Sequence, residues 1–285
     1  CLGTVQFGLP YGVTNQAGQV PEEEVSRILN LAAASGIALL DTAQAYGTSE
    51  TALGRCWPTG APRRLISKLP AGTARESWDE RLLTTLQRLQ APKLDGFLLH
   101  RASDLLAPDG GELLDWLEGL RDRQLVERIG ISIYEASELE GLPLDRLQLV
   151  QLPLSVYDQR LICDGTVGKL QDLGIAVHVR SVLLQGLLLQ SPEHWPAHLS
   201  PAFRNHRARW LEHLHQEGVS PLAGALGFVR DCEGVEAVLC GVVSRKELVE
   251  VLESWSQLKG SVSETPERWV WENFVDLDPR RWPPR

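Results

Sequence analysis

Short apolar runs alternate with longer amphipathic stretches along almost the whole chain. Eight of these runs are five to seven residues long, and several are apolar at nearly every position. Near-continuous apolar character over this length is typical of strands that are buried on both faces. The predicted strands are residues 2–7, 37–41, 64–68, 94–100, 126–132, 147–152, 175–181 and 235–241.

The stretches between and after these runs have the periodicity of helices. The first begins with Pro21, carries acids in its first turn and stops at Gly36, as a helix should. Helices that alternate with strands favour parallel pairing, and eight such units close a barrel. The predicted helices are residues 21–35, 49–56, 75–91, 111–124, 135–141, 165–173, 202–217, 220–231 and 245–258.

The resulting prediction is an α/β fold, a single-domain (β/α)8 TIM barrel over residues 1–285. An open doubly wound sheet is the competing topology, but residues 2–8 lack the G-x-G-x-x-G turn that would favour it. No low-complexity linker interrupts the alternation. Residues 261–285 are rich in proline and tryptophan, and we expect this tail to pack across the barrel.

Composition and charge narrow the choice of partners. The 285 residues carry 28 basic and 37 acidic side chains, a formal net charge of -9. A protein that neutralises phosphate backbones would be basic, so we expect neither nucleic acid nor an anionic membrane surface as a partner. No apolar run approaches the roughly 20 residues that span a bilayer.

The cysteines bear on the compartment. Cys1, Cys56, Cys163, Cys232 and Cys240 are scattered, odd in number and never form C-x-x-C. This pattern favours a reducing compartment and disfavours a disulfide framework or a structural zinc site. Because no secretion signal is visible, we expect a cytoplasmic protein. Since the chain lacks methionine, we also expect that residues precede Cys1.

Ionisable side chains end three consecutive predicted strands. These are Asp41, Lys68 and His100, and Tyr46 follows Asp41 by five residues in the loop that leaves the same strand. In a parallel barrel the active site lies at the carboxyl ends of the strands, so we expect the four side chains to converge there. Burying Lys68 without a counter-charge would be costly, and Asp41 can supply that charge.

The chemistry of this set points to proton transfer to an oxygen. A free tyrosine has a pKa near ~10, and a nearby ammonium lowers the pKa toward the range of efficient acid–base catalysis. His100 can donate a hydrogen bond that polarises or orients a substrate carbonyl. No member of the set is a nucleophile with its own base. Carbonyl reduction with a hydride from elsewhere therefore fits better than hydrolysis.

The remaining histidines do not form a recognisable metal site. No H-E-x-x-H occurs, and the one H-x-H, at residues 213–215, lies in a predicted helix, where residues two apart do not share a face. We therefore expect no metal, and a metal-dependent barrel hydrolase is the less favoured reading. The clustered histidines, which lack cysteine or acid partners at ligand spacing, are His194, His198, His206, His213 and His215.

The segment from Asp41 to Gly54 resembles the aldo-keto reductase family signature D-T-A-x-x-Y-G-x-S-E-x-x-L-G at every fixed position. Lys68 and His100 lie where that family's catalytic tetrad continues. The resemblance implies a (β/α)8 barrel that binds a nicotinamide cofactor without a Rossmann motif. It also implies that Tyr46 is the general acid, that Lys68 and Asp41 tune it, and that His100 orients the carbonyl.

The resemblance also implies cofactor-binding positions. Ser132 and Gln151 resemble the carboxamide-binding residues, although Ile133 stands where the family usually has asparagine. Arg180 stands where the family commonly places an aromatic ring against the nicotinamide; a guanidinium can stack, but it changes the electrostatics of the site. The cofactor candidates are Gly3, Thr4, Asp41, Ser132, Gln151, Arg180, Ser181, Leu183, Gly186, Gly241, Val242, Val243, Ser244, Glu247 and Glu250.

Residues 241–250 resemble the segment that binds the adenosine phosphate, and backbone N–H groups at a helix N-terminus suit a phosphate. Glu247 stands where many NADP-selective members have arginine, and an acid would repel a 2′-phosphate. Arg245 and Lys246 can substitute from the same turn. We therefore expect a slight preference for NADP(H) over NAD(H).

The expected function is reduction of an aldehyde or ketone, with a sugar-derived carbonyl among the options, to an alcohol by NAD(P)H. The alternative is a non-catalytic, nicotinamide-binding subunit that senses redox state or regulates a partner. The complete set of four side chains favours the enzyme. The expected substrate is a small carbonyl or alcohol, and the candidate substrate residues in loops after strands are Phe7, Tyr11, Arg101 and Tyr134.

Overall fold

The computed structural model describes residues 1–191, 195–196, 198–257 and 266–282. Within them, parallel strands form one sheet in the order β8-β7-β6-β5-β4-β3-β2-β1-β9, which confirms the predicted barrel. The strands are β1 Leu2–Gly3, β2 Leu39–Asp41, β3 Arg64–Leu69, β4 Leu94–Leu99, β5 Val126–Ser132, β6 Leu149–Pro153, β7 Ala176–Arg180, β8 Val235–Val238 and β9 Cys240–Gly241.

The barrel closes because the last apolar run pairs on both of its sides. Val235–Val238 pairs with β7, whereas Cys240–Gly241 pairs with β1. The change of partner occurs at Leu239, whose N–H still bonds the carbonyl of Val179 at 2.8 Å. The sequence predicted a single strand over residues 235–241; the structure divides it because the run faces two neighbours in turn.

Helices cover the outside of the sheet. One predicted helix, residues 135–141, is reduced to the 3-10 turn Ala136–Leu139, which is followed by Gly141 in a left-handed conformation and by Pro143. None of the helices in the described residues is long and apolar enough to cross a membrane. The helices are α1 Glu22–Ala34, α2 Ser49–Cys56, α3 Trp78–Leu89, α4 Gly110–Asp122, α5 Arg160–Cys163, α6 Thr166–Asp172, α7 Pro201–Gln216, α8 Pro221–Asp231, α9 Arg245–Gln257 and α10 Phe274–Leu277.

Apolar side chains fill the barrel and the layer around it. Ile66, Leu98 and Leu149 form a buried cluster of their own, separate from the large core in which the helices pack on the sheet. Each amphipathic helix contributes one apolar stripe, and α1 buries Val25 and Ile28 on such a stripe. The strand ends are therefore held in a rigid scaffold, which is what a site built from several strands requires.

The described part of the tail, residues 266–282, packs on the barrel as expected. The N–H of Trp271 bonds the carbonyl of Tyr157 at 3.0 Å. An aromatic cluster joins the tail to α7 and includes Tyr157, Phe203, Trp210, Trp269 and Trp282. Residues 261–265 and 283–285 of the predicted tail lie outside the described residues.

A buried carboxylate fixes the tail to the start of α7. Asp276 accepts hydrogen bonds from the Ser200 N–H (3.1 Å) and hydroxyl (2.9 Å), from the Trp271 indole (3.1 Å) and from Asn273 (3.2 Å). Ser200 is the N-cap of α7. One side chain therefore connects the tail to a helix terminus that precedes it by more than 70 residues.

Because Asp276→Ala leaves these donors unpaired, we expect it to lower the free energy of unfolding by about 2–4 kcal/mol. Urea unfolding followed by tryptophan fluorescence measures this loss. Glu272→Ala is the control, since Glu272 is an exposed acid of the same segment. An Asp276→Ala midpoint equal to that of wild type would show that the tail is held by its aromatic side chains alone.

Candidate active site

A buried ion pair lies at the carboxyl ends of β2 and β3. The Lys68 Nζ donates to both Asp41 oxygens, at 2.7 and 2.8 Å, and to the Thr42 carbonyl at 3.0 Å. Gln151, on β6, donates from its Nε2 to Asp41 Oδ2 at 2.8 Å. Lys68 is only 1% exposed. Three strands thus contribute to one polar network, and its geometry is fixed before any ligand arrives.

The pKa of Lys68 shows which effect prevails in this network. Burial lowers the pKa of the ammonium, but the Asp41 carboxylate opposes burial, and the pKa ends above its ordinary value. Lys68 therefore stays charged at neutral pH. This agrees with the expectation that Asp41 supplies the counter-charge.

Tyr46 and His100 lie beside the ion pair. The Lys68 Nζ is 5.3 Å from the centroid of the Tyr46 ring. The His100 ring meets the Tyr46 ring edge-on, with centroids 5.9 Å apart and planes at 86°. The structure therefore brings together Asp41, Tyr46, Lys68 and His100, which come from three separate segments of the sequence.

The pKa of Tyr46 differs from the sequence-based expectation. Lys68 does lower the pKa of the phenol, but burial is the larger effect and raises it, so the net pKa lies above the ordinary value. The expectation considered the ammonium and omitted the loss of solvent. Tyr46 is accordingly protonated at neutral pH and available as a proton donor.

His100 is a neutral imidazole in this setting. Burial lowers the pKa of His100 to about 4, and the charges of Lys68 and Arg180 act in the same direction. A neutral ring has one N–H to donate and one nitrogen to accept a hydrogen bond. His100 can therefore orient a carbonyl oxygen without adding a positive charge.

The turn that carries Tyr46 depends on two glycines. Gly47 has φ +57, and a Cβ built on it would lie 2.4 Å from the Gly8 carbonyl oxygen. A Cβ on Gly8 would in turn lie 1.8 Å from the Tyr46 carbonyl oxygen. Only glycines allow this approach. Sequence reasoning missed Gly8, whose one signal is its position directly after the first predicted strand.

Two other residues of the signature support the scaffold. Glu50 is buried and accepts hydrogen bonds from Ser67 (2.7 Å) and Thr85 (2.9 Å), which ties α2 to β3 and α3. Ser49 donates to the carbonyl of Thr4 at 2.8 Å. Thr4, a cofactor candidate, is itself buried, and its hydroxyl donates to the Asp41 carbonyl at 2.8 Å. These contacts hold the backbone that carries Asp41.

Comparison with known proteins agrees with this geometry. A sequence model of the aldo/keto reductase family matches residues 1–264. The chain belongs to the aldo-keto reductase family. The protein is therefore an oxidoreductase of this family, and the barrel is the family's fold. No curated protein matched the chain.

Solved aldo-keto reductases have the same fold at low sequence identity. One from Bacillus halodurans, in its holo form, is 19% identical with a TM-score of 0.77, covering 95% of this chain and 93% of that one. One from Klebsiella pneumoniae, in complex with NADPH, is 18% identical with a TM-score of 0.71, covering 97% and 93%. A further Klebsiella pneumoniae structure, with NADP and acetate, is 19% identical with the same TM-score and coverage.

The candidate carboxamide residues of this aldo-keto reductase lie side by side. Ser132 and Gln151 are register partners on β5 and β6, and both are buried. The Ser132 hydroxyl has no hydrogen-bond partner among the described residues. An amide group of a cofactor fits this pair, because Ser132 has a free donor and Gln151 is already oriented by Asp41.

The segment after β7 has an unusual backbone. Ser181, Leu184 and Gln185 have positive φ values, as does Gly186. Strained conformations of this kind gather at ligand sites. Gln185 also accepts a hydrogen bond from the N–H of Val13 at 3.1 Å, which joins this segment to the loop after η1, the 3-10 turn Val5–Phe7. Two loops that leave the strands β1 and β7 thus meet here, and the cofactor candidates Ser181, Leu183 and Gly186 lie in the second of them.

Carboxylates occupy the N-terminus of α9. Glu247 Oε2 accepts from the Val243 N–H at 2.8 Å, and the Glu247 N–H donates to Ser244 Oγ at 3.2 Å. Glu24, on α1, accepts from the Arg245 N–H at 2.6 Å. Sequence reasoning missed Glu24 because it precedes α9 by more than 200 residues. The candidates of this segment are Gly241, Val242, Val243, Ser244, Glu247 and Glu250.

The substrate candidates differ in position. Phe7 is 1% exposed inside the main core, which leaves little of its surface for a ligand. Arg101 is exposed and pairs with Asp104. Tyr11 is partly exposed, and burial, with smaller effects of Tyr134 and Tyr46, raises its pKa to about 12. Tyr11 and Tyr134 are therefore the substrate candidates within electrostatic range of Tyr46.

His206, His198 and His213 pack against tryptophans of the tail, whereas His215 is exposed. His206 bonds the Trp269 carbonyl at 3.0 Å. His213 lines a flank cavity of about 410 Å³ between α5, α7 and α8, which contains none of the four converging side chains. Among the described residues no three histidine, cysteine or acidic side chains are grouped as metal ligands. His194 lies outside the described residues.

The low pKa of His100 makes stability depend on pH. As the pH falls below about 6.5, His100 becomes protonated in the unfolded chain but stays neutral in the folded protein. The free energy of unfolding therefore decreases as the pH falls toward 4. Between pH 6.5 and 5 the free energy of unfolding decreases by about 2 kcal/mol from this effect.

We therefore expect His100→Asn to lose about 2 kcal/mol less stability than wild type between pH 7 and pH 5. Urea unfolding at the two pH values measures the difference. His215→Asn, an exposed histidine of α7, is the control and should behave as wild type. Parallel losses in wild type and His100→Asn would mean that His100 protonates equally in both states.

Proposed function

We propose that this oxidoreductase reduces an aldehyde or ketone to an alcohol, with Tyr46 as the general acid. The supporting observation is the buried Lys68–Asp41 pair with the Lys68 ammonium 5.3 Å from the Tyr46 ring centroid. A protonated phenol next to a fixed ammonium can release its proton, because the phenolate that forms is stabilised at once. The same arrangement has no side chain suited to nucleophilic attack.

The residues act in a definite order in this proposal. His100 donates its ring N–H to the carbonyl oxygen and turns it toward Tyr46. When bound, a reduced nicotinamide would supply the hydride for the carbonyl carbon and the two electrons that the reduction requires. The Tyr46 hydroxyl gives its proton to the oxygen, and Lys68, held by Asp41, stabilises the phenolate until solvent returns the proton.

Ser132 and Gln151 are the residues we propose for the nicotinamide carboxamide, and the segment from Ser181 to Gly186 for the diphosphate. We propose NADP(H) as the preferred cofactor. Glu247 is folded back on the Val243 N–H, so Arg245 and Lys246 are the side chains of this turn that can meet a 2′-phosphate. Related solved structures carry NADPH or NADP.

Tyr46→Phe tests the general acid. We expect the rate of carbonyl reduction to fall by about 100- to 10,000-fold, because the proton donor is lost. Binding of NADPH, followed by quenching of the nine tryptophans, should change less than about twofold. Tyr157→Phe is the control, because the Tyr157 hydroxyl is buried in the aromatic cluster and has no hydrogen-bond partner in the described part of the chain. Wild-type turnover in Tyr46→Phe refutes the assignment.

Glu247 variants test the cofactor preference. We expect Glu247→Arg to increase the ratio of NADPH to NADH affinity by about tenfold or more, since a repulsive charge becomes an attractive one. Glu247→Gln keeps an acceptor for the Val243 N–H and should give a smaller increase. Glu253→Arg, an exposed acid farther along α9, controls for net charge. A ratio unchanged in all three variants would place Glu247 away from the 2′-position.

A further inference from the structure

Arg180 is a half-buried cation without a carboxylate partner among the described residues. Its Nη2 donates to the Ile133 carbonyl at 2.8 Å, and its Nη1 lies 3.4 Å from Ser181 Oγ. Comparable arginines are paired: Arg128 holds Asp95, and Arg160 holds Asp158. Partial burial of an unpaired guanidinium costs free energy, which is tolerated where a ligand supplies the missing anion.

This cation lies at the same barrel end as the four catalytic candidates. Arg180 is the last residue of β7, and Pro153 of β6 is its register partner. Burial is the main cause of the shifted pKa values of Tyr46 and His100; the charge of Arg180 opposes burial at Tyr46 and acts with it at His100. The guanidinium is therefore within electrostatic range of the proposed reaction centre.

The tail holds Arg180 in position through Tyr134. The Arg180 guanidinium lies 3.9 Å from the centroid of the Tyr134 ring, and that of Arg280 lies 3.6 Å from the same centroid. Two guanidinium groups this close to one ring must lie on opposite faces, so Tyr134 is sandwiched between them. Arg280 was not predicted from the sequence as part of the site.

The two arginines differ in charge balance. Arg280 donates to both oxygens of Asp278, at 3.0 Å from Nε and 2.9 Å from Nη2, so its charge is compensated. Lys68 is likewise compensated by Asp41. Arg180 is left as the uncompensated positive charge of this group, in a protein whose net charge is -9. An anion that approaches this acidic protein gains from a local, oriented guanidinium.

We propose that Arg180 binds an anionic group, a carboxylate or a phosphate, carried by the carbonyl substrate, and so selects acidic aldehydes or ketones over neutral ones. The inference rests on the proposed function, since it assigns a substrate class to the same site. Tyr134 and Arg280 act as positioning residues, because they fix the plane of the guanidinium without contacting the anion. The cofactor diphosphate is the other source of such a charge.

Matched substrates test the assignment. The probes are 4-oxobutanoate, its neutral methyl ester and butanal, with kcat/KM measured for wild type, Arg180→Gln and Arg180→Lys. We expect wild type to prefer the carboxylate at least about tenfold, and Arg180→Gln to lower the ratio of kcat/KM for 4-oxobutanoate to kcat/KM for the ester by about tenfold or more. Arg180→Lys should recover part of the preference. Arg121→Gln, an exposed arginine of α4, controls for net charge.

Equal losses for all three substrates, or no preference in wild type, overturn the proposal. A loss of NADPH affinity in Arg180→Gln with an unchanged carboxylate preference assigns the guanidinium to the cofactor diphosphate instead. If wild type reduces none of the probes, the proposed function fails, and binding of succinate to the protein, followed by tryptophan fluorescence, still tests Arg180. Weaker succinate binding in Arg180→Gln supports the anion site, and unchanged binding refutes it.

Discussion

An ammonium that is shut away from water needs a compensating charge, and the site of this protein is arranged around that need. Lys68 meets it with both oxygens of Asp41, and Asp41 is in turn fixed by Gln151. A buried pair contributes little to net stability, because desolvation offsets most of the attraction. Its value lies in geometry: three strands are held in one relative position, and Tyr46 lies against a charge that cannot move away.

This balance has a consequence for the potential at the barrel end. The charges of Lys68 and Asp41 cancel, and the charge of Arg280 is balanced by Asp278. Neither ion pair therefore gives the site a net charge. Arg180 has no carboxylate partner among the described residues, so its positive charge is left unbalanced at this end of the barrel. The proposed anion site and the proposed proton donor therefore depend on different side chains, Arg180 and Tyr46.

The apolar runs predicted the fold well where a strand is buried on both faces, as in β3 to β7. They failed at the first and last runs: residues 5–7 turn away as a 3-10 helix, and residues 235–241 change partner at Leu239. The signature residues predicted which side chains converge. The direction of the Tyr46 pKa depended on burial, and the roles of Glu24 and Arg280 depended on contacts between distant segments, which no local pattern carries.

The seam where the barrel closes is short. Two residues of β1 pair with two of β9, and Gly3 lies opposite Gly241 there. Candidate cofactor residues lie on both sides of this seam, so a ligand that spans them must be released before the seam can part. Each tenfold excess of such a ligand over its Kd adds about 1.4 kcal/mol to the free energy of opening. Occupancy of the site and integrity of the barrel are thus linked equilibria, and the protein should resist local unfolding and proteolysis best when it is saturated.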